Sequence, residues 1–418
     1  MKRGLFGTYF VLLLALVAFA AVSCEAVVGE EKEFETRDKT ILVYMAGNNN
    51  LSSDAIENIE KMKEGYIPDK DGNIIIYSHV AEDPNHPVLI HLRQVEGQPV
   101  LDTVYRFPYQ SSVATESLTS AMKVTQTMFP ADEMSLILWS HGLGWVPVGY
   151  YANTPSPDDN HYGANFAPGI DQRKPNSYFG QDYIGDSLNV PGMEVTALAK
   201  AIPYELEFLI FDACNMGNVE VAYQLRNKTK YVISSPAEIL TDGFPYNRIM
   251  QHIFKEKSDL KAIAQEYYNY YMYESSNKSA TISLVDCSRL GELAAVTADI
   301  FNIYRDGIVS LKKSDIQTFS RFGKHWFHDF GDFIKQLTAD GKNPALVQTF
   351  KQKLEETVIY KAATPEFMGE IVIDPSRYCG LSSYITCPSD TDINNAYKKL
   401  DWNKDVQMIV EEEKIAVY

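Results

Sequence analysis

The run SLILWSHGLGW, residues 135 to 145, ends an apolar stretch in His141 and Gly142, and FLIFDACNMG, residues 208 to 217, ends another in Asp212, Ala213 and Cys214. A strand that only filled a core would need neither ending. In open α/β sheets the chain turns at the carboxyl ends of strands, and reactive side chains collect there. The residues after Cys214, Met216 to Leu225, have helical spacing, which would put the thiol at a helix N-terminus. There the positive end of the dipole favours thiolate, and a nearby imidazole can generate or stabilise it. Glycine after the histidine lets backbone come close to a substrate carbonyl. These are the parts of acyl transfer: Cys214 as nucleophile, His141 as proton-transfer partner, and the backbone N–H groups of Gly142 and Cys214 as an oxyanion hole. Each part alone has a plainer explanation, a packing thiol for Cys214 and a polar core corner beside Trp139 and Trp145 for His141. The pair in like positions points to chemistry.

Those positions require strands and helices in alternation. TILVYMAG (40–47), NIIIYSHV (73–80), MSLILWS (134–140), EFLIFDA (207–213), KYVISSPA (230–237) and ATISLVD (280–286) read as short, mostly fully buried strands. Helical patterns over 117–128, 192–202, 216–225 and 260–273 separate several of them. The expectation is an α/β chain with a mostly parallel sheet covered on both faces. PVLIHLR (87–93) and DTVYRFPY (102–109), joined around Glu96-Gly97, read as an antiparallel pair at one edge. The segment 290–358 is mainly helical, before GEIVIDP and GLSSYITCP return to strand. Residues 146–188, rich in Tyr, Asn, Asp, Gly and Pro, fit neither period and read as a long functional or disordered surface loop.

A chain of 418 residues with 45% hydrophobic content can bury one large or two ordinary cores, and a net charge of −17 makes nucleic acid a poor partner. Lys2 and Arg3 followed by an apolar stretch from Phe10 to Val22 read as a signal peptide, 1–23. The small residues running into Cys24 resemble the lipoprotein cleavage box, which would make Cys24 the lipidated first residue, although Ala21 stands where leucine is commoner. Plain secretion is the other reading. The polar run that follows completes a tether, 24–39; a catalytic domain is expected over 40–290 and a helical and strand region over 291–418. The localisation implied is the cell envelope, periplasmic or at the cell surface, with the membrane reached through the lipid. No two cysteines show the spacing of a zinc knuckle or redox motif, so no cofactor is expected. Cys379 and Cys387 are either a disulfide or two buried thiols.

His141-Gly142 and Asp212-Ala213-Cys214, each after an apolar strand, resemble the motifs of the clostripain family of cysteine peptidases in the caspase-like clan. The likeness extends to YMAGNNNL (44–51), FGQD and GDSL before Cys214, SSPAEILTDGFPY (234–246) and GLSSY near the C-terminus. It implies a caspase-like α/β/α sandwich, a Cys214–His141 dyad, a thioester intermediate, and cleavage of protein or peptide substrates after Arg or Lys. That preference requires negative charge in the primary pocket. Asp212 and Asp242 match positions where the family places acidic groups; Asp242 also reads as an ordinary Thr-Asp-Gly turn, with Glu238 next in line. Family members are often cleaved between histidine and cysteine, and Arg173-Lys174 offers such a site. Calcium affects some members, yet no run here has calcium-loop spacing, and Asp158, Asp159 and Asp171 read as solvated loop residues.

A rival reading is a non-catalytic surface lipoprotein that binds glycans or peptides through exposed aromatics, given 26 tyrosines. Much of that tyrosine, as in EYYNYYMYE (266–274), lies at helical spacing and suits packing. The rival makes Cys214 inert. A serine hydrolase is disfavoured by the lack of a Gly-x-Ser-x-Gly elbow.

Overall fold

Alternation within the apolar runs builds the architecture. Along TILVYMAG, Ile41, Val43 and Met45 enter one core cluster while Leu42, Tyr44 and Ala46 enter another, because successive strand side chains point to opposite faces. Ile137 and Trp139 divide in the same way from Leu136 and Leu138, and Phe208 and Ile210 from Leu209 and Phe211. Strands buried on both faces have no polar side, which is why they read as unbroken apolar runs.

The chain is described from a computed structural model over residues 36–67, 72–147, 179–184, 187–190, 192–320 and 326–410. The expected signal peptide, Cys24, Arg173, Lys174, and the acids Asp158, Asp159 and Asp171 lie outside these described residues. In chain order the first twelve strands are β1 (Arg37–Gly47), β2 (Gly72–Val80), β3 (Val88–Val95), β4 (Gln98–Arg106), β5 (Ala131–Trp139), β6 (Asp182–Ile184), β7 (Ser187–Val190), β8 (Leu206–Asp212), β9 (Thr229–Ser234), β10 (Thr281–Asp286), β11 (His328–Asp329) and β12 (Val358–Ala363), with three two-residue strands after them. Nine of them form one sheet in the order β12-β10-β9-β8-β5-β1-β2-β3-β4. The central five, β2, β1, β5, β8 and β9, are parallel to their neighbours within that set. β3 and β10 run against them, and β4 and β12 turn back again. The sheet is mixed and mostly parallel. Val358–Ala363 of the C-terminal region is its edge strand, and the sheet already begins at Arg37, before Thr40.

Helices Ser52–Glu64, Tyr246–Ile253 and Leu260–Asn269 cover one face with side chains such as Ile59, Ile249 and Ile263. Thr115–Met128, Val195–Ala201, Val219–Leu225 and the C-terminal helices, among them Leu290–Ile308 and Pro344–Thr357, cover the other. The result is the expected three-layer sandwich. The edge hairpin of β3 and β4 closes through Glu96 and Gly97, whose φ values of 51° and 82° make the two-residue turn that matches strand twist.

Several boundaries differ from expectation. The helix expected from Leu260 to Tyr273 is α-helical only to Asn269 and finishes in a π turn, Tyr270–Glu274. In its tyrosine run Tyr267 and Tyr271 are fully buried and Tyr273 is exposed, so much of it is packing. GLSSYITCP yields only the short strand Ser382–Ser383, paired with β11; Ser382 N–H instead donates to Gly217 O at 2.9 Å, outside any ladder. Cys379 and Cys387 are separate thiols, and only Cys379 is buried, Cys387 being half-buried.

Candidate active site

β5 and β8 are adjacent and parallel, with Trp139 opposite Asp212. Their ends therefore deliver His141 and Cys214 to the same edge of the sheet, and Ser140 N–H donates to Asp212 O at 3.3 Å across the junction. Gly142 brings the two turns into contact. A Cβ on it would stand 2.4 Å from Cys214 O and 3.1 Å from Cys214 N, so only glycine permits this approach. Two residues on, Gly144 has φ +60° and faces Asn218 of the cysteine turn just as closely.

His141 is buried, and its Nε2 lies 3.0 Å from Asn50 Oδ1. An amide oxygen only accepts, so Nε2 carries the proton, and in a neutral ring the lone pair sits on Nδ1. The segment Phe179–Asp182 braces both sides of this arrangement. Gly180 N–H donates to His141 O at 2.9 Å, Phe179 bridges Gly142, and Gln181 O accepts from Asn49 Nδ2 at 2.8 Å. Asp182 is fully buried and accepts from Asn48 Nδ2, Ser111 Oγ and Ser112 N–H, which explains why an acid sits inside the FGQD stretch.

Cys214 is half-buried on the turn that follows β8. The expected helix N-terminus at this thiol is not there. The helix begins at Val219 with Asn218 at its cap, five residues beyond Cys214, and the dipole's influence fades within one turn. Asn215 at φ 56° and the packing of Gly217 against Ser235 and Pro236 hold the intervening residues in a turn. Asn215 N–H donates to Ala237 O and Gly217 N–H to Ser235 O, both at 2.8 Å. Ile239 meets the sulfur with both backbone groups, its N–H 3.3 Å from Sγ and its carbonyl oxygen accepting from the thiol at 3.5 Å.

The acidic candidates occupy different environments. Asp212 is buried, and its Oδ2 accepts from Phe244 N–H at 3.1 Å and Tyr246 OH at 2.8 Å. Burial pushes its carboxyl up to about 6 despite those bonds and the Lys61 charge. Asp242 is exposed on the turn from Leu240 to Phe244, closed by Gly243 N–H donating to Leu240 O, and its own carbonyl faces Lys61 Nζ at 3.4 Å. Glu238 is half-buried between Ala237 and Ile239. Two residues of this neighbourhood escaped the sequence reading. Asn50 sits in the quoted YMAGNNNL motif, but its bond to His141 spans 91 residues. Asp54, hydrogen-bonded to Thr241, is raised above the usual carboxylate range by burial and by the charges of Glu57 and Asp242. Among the described residues no group of three or more His, Cys, Asp or Glu could hold a metal ion. No helix among them is long and apolar enough to cross a membrane.

The sequence profile of the clostripain family matches residues 43–405. An inactive zymogen of a C11 protease from Parabacteroides distasonis is similar over 89% of this chain and 99% of its own, at 31% identity and a TM-score of 0.72. A secreted C11 cysteine protease from Bacteroides thetaiotaomicron, solved with an irreversible peptide inhibitor, is similar over 89% and 100% at 26% identity and a TM-score of 0.73. No curated protein matches the chain. With the profile spanning nearly all of the described sheet and the turns that carry His141 and Cys214, the chain belongs to the clostripain family and is a cysteine peptidase of caspase-like fold.

Proposed function

We propose that this peptidase is an endopeptidase that cleaves after Arg or Lys with a Cys214–His141 dyad. The observation that carries the reading is the seat of Gly142 against the Cys214 backbone, which joins the histidine and cysteine turns at one sheet edge. In this reading His141 takes the Cys214 proton and the sulfur attacks the scissile carbonyl. The N–H groups of Gly142 and Cys214 stabilise the resulting oxyanion. Collapse of the tetrahedral species forms the thioester while His141 returns the proton to the leaving amine, and water then hydrolyses the thioester. Asn50 fixes the ring so that one nitrogen stays protonated throughout.

Asp242 pairs with the substrate cation at the pocket mouth. Asp212, beneath the same turn, adds negative charge and holds Phe244 and Tyr246 in place. Peptide substrates are supported by the inhibitor bound to the Bacteroides relative. A zymogen among the relatives supports maturation by cleavage, for which Arg173-Lys174 is the basic site between the two turns. Cys24 is the lipidated residue that tethers the enzyme to the cell envelope, and no cofactor takes part.

A peptide-library digest read by mass spectrometry, with Cys214→Ala as control, tests the reading. Cuts confined to bonds after Arg and Lys, and lost in the folded variant, are expected. Cuts retained by Cys214→Ala, or made without regard to basic residues, would overturn it.

A further inference from the structure

Behind the two reactive turns lies a buried polar hub that neither turn supplies by itself. Glu220, the second residue of helix Val219–Leu225, is fully buried. Its Oε1 accepts from Ser383 Oγ at 2.9 Å, Tyr384 N–H at 2.9 Å and Tyr397 OH at 3.1 Å. Its Oε2 has no hydrogen-bond partner among the described residues. Burial pushes the carboxyl up to about 7, so a proton on Oε2 is retained well above the ordinary carboxylate range. A buried acid with one oxygen unpaired is costly unless it organises something.

The residues it collects touch both turns. Ser382, next to Ser383, donates its N–H to Gly217 O at 2.9 Å and accepts from Asn218 Nδ2 at 2.7 Å, which ties the C-terminal segment to the cysteine turn. Tyr384 and Tyr397 flank Trp145 with ring centroids 5.2 and 4.9 Å away, both edge-on, which seats the histidine turn on the same segment. Gly144 and Asn218 close the circuit between the turns. We propose that Glu220 is a positioning residue for both reactive turns, gathering Ser383, Tyr384 and Tyr397 into the platform on which Trp145 and Asn218 rest. This rests on the assignment of His141 and Cys214 as the dyad.

The test compares Glu220→Leu, which removes the acceptor, with Glu220→Gln, which keeps an acceptor oxygen and mimics the protonated acid. Amide hydrogen exchange is followed in peptides covering 141–147, 213–218 and β1, alongside kcat and KM for an arginyl amide. In Glu220→Leu, exchange should rise about ten-fold or more in both turns and not in β1. Its kcat should fall about ten-fold while KM stays within about three-fold, and Glu220→Gln should restore both readouts. Unchanged exchange in both turns, or a rise confined to 381–397, would overturn the proposal. If Glu220→Leu does not fold, Tyr397→Phe removes one donor; about three-fold faster exchange in the same two turns is then expected, and unchanged exchange counts against the hub. The exchange readout needs no peptidase activity, so turnover retained by Cys214→Ala would refute the dyad without touching the hub.

Discussion

Gly142→Ala is the sharpest perturbation of the proposed dyad that leaves both reactive side chains in place. The added methyl would lie 2.4 Å from Cys214 O and 3.1 Å from both Ala213 Cβ and Cys214 N, where real Cβ contacts are not found below 3.0 Å. The histidine and cysteine turns must therefore separate by at least about 0.6 Å, and further to reach ordinary van der Waals contact. Neither turn yields easily. The cysteine turn is bonded to Ser235 and Ala237, and the histidine turn to Gly180. Forcing atoms into a packed site costs about 1 to 3 kcal/mol of stability. A misplacement near 1 Å in the reacting geometry costs about a hundred-fold in rate. The expected result in steady-state hydrolysis of an arginyl amide is a kcat reduced about ten- to a hundred-fold, with a smaller change in KM, because Asp242, the proposed partner of the substrate cation, lies on a separate turn. Iodoacetamide labelling of Cys214 at mildly acidic pH should slow as well, since the proposed imidazole partner is displaced. Parental kcat together with parental melting temperature would refute the argument that this close approach positions the dyad.

Removing the pocket charge should separate selectivity from thiol chemistry. Asp242→Asn is expected to lower kcat/KM for arginyl substrates about ten- to a hundred-fold, as loss of a charge-assisted pair worth about 1.5 to 3 kcal/mol implies, while Cys214 alkylation keeps the parental rate. Unaltered arginyl cleavage would leave Asp242 as a turn residue and shift the role to Asp212 or Glu238. Asp212 also predicts a pH dependence of stability. Its folded carboxyl is raised to about 6 from an ordinary 3.8, so the stability it contributes is fully present below about 4 and is lost as pH rises through about 6. Urea unfolding should show the stability of the parent relative to Asp212→Asn falling by about 3 kcal/mol, to within a factor of two, between pH 4 and pH 7. A difference that does not vary with pH would mean that burial does not raise the Asp212 carboxyl.

How much was legible follows from where each signal resides. β1, β5 and β8 are buried on both faces, so their identity and the location of the reactive turns stood out as apolar runs with abrupt polar endings. The start of the helix after Cys214 did not. Met216, Val219, Val221 and Ala222 extend an apolar pattern back towards the thiol, whereas the turn is held by Gly217 against Ser235 and Pro236, a contact between separate segments. Helix Ser52–Glu64 went unanticipated although Ala55, Ile59 and Met62 repeat at helical spacing on its buried side. Asn50, Asp54 and Glu220 owe their roles to partners far away in the chain, Thr241 for Asp54 and Tyr397 for Glu220. No local pattern encodes such a partner. The GLSSY segment illustrates the same point. It resembled a strand because it is apolar and small, but its backbone pairs with β11 over two residues only and is shared with the cysteine turn through Gly217.

The central claim, that Cys214 carries the acyl group, is tested most directly by trapping the intermediate. The protein is mixed with a slowly hydrolysed arginyl ester, quenched in acid and digested for peptide mass spectrometry. The account predicts an acyl adduct on the peptide containing Cys214, absent from those containing Cys287, Cys379 and Cys387, and gone in Cys214→Ala. An adduct on any other residue, or ester turnover by Cys214→Ala at the parental rate, would contradict it.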